Sequence, residues 1–139
     1  MLWGALHIGA GAAVLYRLWV KGATEALALI GSAVPVEALP HDLGGVASGV
    51  LAQHAWDLAV FGVFALVVGA ALNWRNSRSG YWLNLGVVSG ADLGFIFAIL
   101  VPGYIRLVDG LWGPALWLLA VIFSTIGLLT APDETRPAR

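Results

Sequence analysis

Four apolar stretches dominate this chain, at residues about 2–20, 46–72, 81–101 and 111–131. Each is long enough to cross a bilayer, since a hydrocarbon core of about 30 Å takes roughly 20 helical residues. In lipid every backbone amide and carbonyl has to find its partner within the segment, so helix is the expected state of all four. The chain is 60% hydrophobic and only 11% charged over 139 residues, against about a quarter charged in a soluble domain. A soluble core this small has no room for so much apolar surface. The expected fold class is therefore an all-α integral membrane protein: a single domain over residues 1–131, built as a four transmembrane helix bundle, with a solvated tail at 132–139.

The connections support that layout. Residues 22–34 are too few to cross, but Ala23, Leu27, Ile30 and Val34 recur at helical spacing, the pattern of a short amphipathic helix lying at the interface between spans 1 and 2. Pro35 and Pro40 end it, and polar turns separate the later spans. Trp3, Trp19, Trp74, Tyr81, Trp82, Tyr104 and Trp112 fall near span ends, where amphipathic rings prefer the headgroup level, while Trp56 and Trp117 lie deeper. Four spans put both termini on one side with Arg75, Arg78, Arg136 and Arg139, against Arg17, Lys21 and Arg106 on the other. Cytoplasmic loops favour Lys and Arg, so the expectation is a multi-pass protein of a cytoplasmic membrane with cytoplasmic termini. A secretory leader is not expected, because its positive charge precedes the apolar run and here Arg17 and Lys21 follow it.

Inside this greasy frame, Gln53, His54, Asp57 and Asp92 stand out. At a rise of about 1.5 Å per residue, Asp57 in the second span and Asp92 in the third both lie about 15 Å deep, near the midplane. An Asp there costs roughly 2.5–3.5 kcal/mol on insertion scales, and such groups usually face the bundle interior or a watery cavity. His54 is one turn from Asp57 on the same helical face, Gln53 reaches that face, and Arg17 can drop towards either. Ser89 lies one turn from Asp92, and Asn84 is within the same span. One reading makes Asp57, Asp92 and His54 catalytic or proton-handling groups, with Gln53, Trp56, Phe61, Arg17, Asn84 and Ser89 around a bound ligand. The other is structural: an Asp57–Arg17 bridge fixes helix register, and His54 bonds a carbonyl or Asn84. His7 and His41 read as structural.

Gly86, Gly90 and Gly94 form a small-residue ridge suited to close helix contact, and at 3.6 residues per turn Asp92 points about 160° away from it. The ridge either packs on a neighbouring span or mediates a homo-oligomer. No metal or cofactor is expected. His54, Asp57 and Asp92 do not make the usual pattern of two His or of repeated Glu-x-x-His, and His7 and His54 sit in opposite halves of the bilayer, too far apart for bis-His haem. With no cysteine there are no thiolate ligands. No basic cluster marks a nucleic-acid partner, and no soluble-enzyme signature is present.

In layout, four spans with two midplane carboxylates, the chain resembles small sterol-isomerase-related membrane proteins. In size it is similar to small four-helix membrane proteins associated with quinol oxidation. Neither resemblance carries over a residue. The function expected first is an intrabundle pocket for a lipophilic small molecule (a lipid, sterol, isoprenoid or quinone-like compound), with acid–base isomerase or proton-transfer chemistry. The alternatives are a proton-coupled transporter or oligomeric conduit and, third, a non-catalytic accessory subunit.

Overall fold

The computed structural model describes residues 1–130, which fold into helices with no strand among them. The tail expected at 132–139 lies outside the described residues. In chain order the helices are α1 (Leu2–Lys21), α2 (Ala23–Ile30), α3 (Gly44–Ala71), α4 (Arg78–Phe95), α5 (Leu107–Gly110) and α6 (Trp112–Thr130). The breaks have local causes. Gly22 at φ 89° takes a conformation closed to most side chains and splits α1 from α2. Asn76 at φ 52° turns the chain after α3, and Ser77 then caps α4 by accepting a hydrogen bond from the Gly80 amide at 3.3 Å. The last turn of α4 widens into a π-helix, Ile96–Leu100, and Pro102 ends it.

Three helical stretches are long and apolar enough to cross a membrane: Gly44–Arg75 (32 residues), Arg78–Leu100 (23 residues) and Trp112–Thr130 (19 residues). With 20 residues α1 is longer than the last of these, but His7, Tyr16 and Arg17 dilute its apolarity. The outer surface is consistent with a membrane protein. Val46, Val63, Val67, Trp74, Phe97, Phe123 and Leu129 are all exposed, whereas the interior is made mainly of small side chains such as Val14, Ala26, Ala55, Ala65, Val68 and Val88.

The closest helix contact is between α1 and α3. A Cβ added at Gly4 would lie 2.5 Å from the Gly62 carbonyl oxygen, and one at Gly11 would lie 2.5 Å from that of Ala55. Residue 4 beside 62 and residue 11 beside 55 makes the pair antiparallel, in contact over two turns through small residues seven apart. Backbones approach this closely only where side chains are absent or minimal. α2 folds back from α1 onto α3 and buries Ala26 completely.

Two sequence expectations meet a different outcome. At Gly86, Gly90 and Gly94 an added Cβ would meet nothing within 4 Å, so of the two expectations for the ridge, packing on a neighbouring span is not seen among the described residues. The reason is rotational: α4 turns Val88 and Asp92 inward, which sends the glycines out. Trp56, expected deeper and beside a ligand, is 66% exposed, while Trp3, in the first turn of α1, is buried with 3% exposure. Because α3 presents Ala55 and Gly62 to α1, Trp56 is carried round to the outer face with Val60, Val63 and Val67.

The α1–α3 seam predicts an asymmetry between glycines. Gly11→Ala drives a methyl into the Ala55 carbonyl and should lower stability by about 1–3 kcal/mol, whereas Gly90→Ala meets open space and should hold or raise it. Unfolding titrations in mixed micelles measure both.

Candidate functional site

Asp92 is the one charged side chain among the buried described residues, with 2% exposure. It sits on α4 between the Gly86–Gly94 face and α1. Its partner comes from α1: the Trp3 indole Nε1–H donates to Asp92 Oδ2 at 2.6 Å. Trp3 also stacks on His7, one turn along α1, with ring centroids 3.6 Å apart and planes at 23°. His7 Nδ1 lies 2.9 Å from the Trp3 carbonyl oxygen. A second indole repeats the device one turn away, Trp117 Nε1 on α6 donating to Ser89 Oγ at 2.9 Å. Two tryptophans from two helices thus engage the Ser89–Asp92 face of α4.

Below this tie a cleft of about 1020 Å³ opens between α1, α2 and α3 on one wall and α4, its π turn and the start of α6 on the other. Its walls are mostly apolar, with Leu6, Val14, Leu58, Phe61, Phe95 and Ile99 among them, and its polar members are grouped. His7 and Asp92 belong to the tie, and His54 and Asp57 come from α3. Arg17, Glu25, Ser32, Arg106 and Asp109 line it as well, from α1, α2, the loops that follow α2 and α4, and α5. Ser32, Arg106 and Asp109 form the second tie across the cleft. Ser32 Oγ donates to Asp109 Oδ2 at 2.7 Å and Arg106 Nε donates to the same oxygen at 2.7 Å, while the Ala33 amide donates to the Tyr104 carbonyl at 3.1 Å.

The expected site residues therefore divide. Asp57, Asp92, His54, Phe61 and Arg17 line one cleft. Asp57 and Asp92 share it without a hydrogen bond between them among the described residues, and Asp92 is held by Trp3 instead. His54 and Asp57 are exposed on the cleft side of α3 and not sealed in the interior. Arg17 does not reach them: its Nη1 pairs with Glu25 Oε2 at 3.3 Å, because Gly22 folds α2 back beside the end of α1. Ser89 accepts from Trp117 rather than meeting Asp92. Gln53 and Trp56 are exposed and are not among the cleft residues. Asn84 borders a separate cavity of about 50 Å³ with Trp3, Trp117 and Ser124, and its Oδ1 is buried with no partner among the described residues.

What the sequence reading missed is the α1 contribution, Trp3 and His7, and the absence of a side chain at Gly113, which borders both His7 and Asp92. The signal was present. Trp3 and His7 are four apart, hence neighbours on a helix. Among the described residues no group of three or more His, Asp or Glu is arranged to hold a metal ion. Comparison with protein-family models, curated proteins and solved structures finds no match to this chain.

The second tie carries a pH signature. The Ser32 hydroxyl first, and the Arg106 guanidinium next, hold the Asp109 carboxyl below its ordinary value. A carboxylate depressed in the folded state stabilises the fold above the ordinary aspartate range, and that contribution is lost as pH falls through the folded value. The thermal stability gap between the native protein and Asp109→Asn should therefore be open at neutral pH and close on acidification below the usual aspartate range. Melting curves at stepped pH read it directly.

Proposed function

We propose that this chain is a multi-pass membrane protein whose interior cleft binds a lipophilic small molecule and exchanges protons with it. On this reading α1 joins the three strongly apolar helices as a fourth crossing segment. Its support is the glycine seam, which runs α1 antiparallel beside α3. α2 lies at the membrane interface, the termini are cytoplasmic and the membrane is a cytoplasmic one. The observation that carries the reading is the cleft itself. At about 1020 Å³, mostly apolar and with a few grouped polar side chains, it has the character of a small-molecule site, and bundle helices are a usual place for one.

Asp92, Asp57 and His54 are the groups proposed to handle protons, since all three border the cleft. Their positions on two different walls suit a ligand lying between them, so that a proton enters at one wall and leaves at the other. Phe61 supplies apolar wall, and Arg17 with its partner Glu25 supplies a polar rim. The reaction class is proton transfer or isomerisation of a lipophilic substrate.

A second reading has one observation in its favour. The uncrowded face at Gly86 and Gly90 suits close contact with another membrane helix, so a homo-oligomer in which the cleft conducts protons is the alternative.

Purified in mild detergent, the protein should retain a stoichiometric lipophilic compound, seen by native mass spectrometry. Ala13→Phe, on the cleft wall, should empty it, while Val63→Phe, on the outer face, should not. Equal retention by both variants would contradict a ligand in the cleft.

A further inference from the structure

The inner end of the cleft has a chemistry of its own. A carbonyl oxygen only accepts hydrogen bonds, so the 2.9 Å contact between His7 Nδ1 and the Trp3 carbonyl puts the ring hydrogen on Nδ1. In the neutral ring Nε2 is then a bare acceptor. The Trp3 indole has only a hydrogen to give, and it engages Asp92 through Oδ2. His7 Nε2 and Asp92 Oδ1 therefore remain without hydrogen-bond partners among the described residues. They converge on one point. A Cβ built on Gly113 would lie 3.3 Å from Asp92 Oδ1, 3.5 Å from His7 Cε1 and 3.9 Å from His7 Nε2. All three residues line the cleft. Glycine at 113 leaves room where two unengaged polar atoms meet, and Trp3 positions both, one by its indole hydrogen and the other by stacking.

We propose that this corner, His7 Nε2, Asp92 Oδ1 and the gap over Gly113, recognises the hydroxyl group of a lipophilic alcohol or phenol whose apolar body lies along the cleft. The inference rests on the ligand-binding reading above and narrows its ligand. The hydroxyl hydrogen is donated to His7 Nε2, and Asp92 in its protonated form donates from Oδ1 to the same oxygen. An ether of the same shape brings no hydrogen and leaves the His7 acceptor unpaired in apolar surroundings. Sites built to bond a hydroxyl discriminate strongly against analogues that lack it. Trp3 is a positioning residue here, and His7 and Asp92 are the contacts.

The test uses the whole chain in lipid nanodiscs with ¹⁵N-labelled histidine. The chain has only three histidines, so each ring nitrogen is assignable by substitution. The probes are 4-dodecylphenol and its methyl ether, 4-dodecylanisole. The phenol should move the His7 Nε2 resonance saturably, with the ether weaker by about tenfold or more, the worth of one hydrogen bond. Gly113→Val, which fills the gap, should abolish the His7 response. His7→Phe, which keeps a ring on Trp3, should weaken phenol binding to the level of the ether. Val63→Phe should behave as the native protein, and a native Trp3 indole resonance in each variant shows that it is folded. A phenol that moves only His54 overturns this proposal while leaving a ligand in the cleft. Equal responses to phenol and ether overturn hydroxyl recognition. Probes that move neither histidine overturn both this inference and the binding reading beneath it.

Discussion

A carboxylate deep in an apolar bundle has to be answered by something, and in this protein the answer is an indole. An unpartnered Asp at the centre of a membrane helix costs roughly 2.5–3.5 kcal/mol, and a hydrogen bond to a charged group returns about 1.5–3 kcal/mol. The Trp3–Asp92 bond at 2.6 Å supplies the partner that this buried carboxyl requires. It does so by holding the start of α1 to the last turn of α4. Trp3 is the largest buried hydrophobic side chain, so one residue supplies both the apolar centre and the polar partner.

The rest of the architecture follows from that link and from the glycine seam. The seam fixes α1 to α3 at backbone contact distance, and the indole fixes α1 to α4. The Ser32–Asp109–Arg106 group then joins the other ends of the two walls. Helices tied at two levels and built of small interior side chains do not close on each other between the ties, and the cleft is the space left. Its position explains why the polar residues are grouped. His7 and Asp92 belong to one tie, Arg106 and Asp109 to the other, and His54 and Asp57 sit on the α3 wall.

Much of the secondary structure was legible in the chain, because helix follows from apolar length and from punctuation at Gly22, Pro35, Ser77 and Pro102. That Asp57 and Asp92 belong to one region was also legible, since both border one cleft. Rotation was not. Periodicity relates residues within a helix but does not say which face meets which neighbour, so Trp56 was set beside the ligand and lies on the outer face instead. The signal that sets rotation is small residues seven apart on two helices, at 4 and 11 and at 55 and 62. It is fainter in the sequence than the Gly86–Gly90–Gly94 run, which meets no helix among the described residues. Pairing was equally hidden. Arg17 was set against Asp57, and the fold-back at Gly22 pairs it with Glu25 instead.

The account stands on Asp92 being sheltered by the protein and bonded to Trp3, and the Trp3 indole hydrogen reports on both at once. In lipid nanodiscs, ¹⁵N-tryptophan spectra should show that hydrogen shifted downfield, slow to exchange with deuterated water and unaffected by a spin label carried on the acyl chains. Asp92→Asn should return it towards the other indoles. Fast exchange, broadening by the acyl-chain label, or a resonance indifferent to Asp92→Asn would contradict the account.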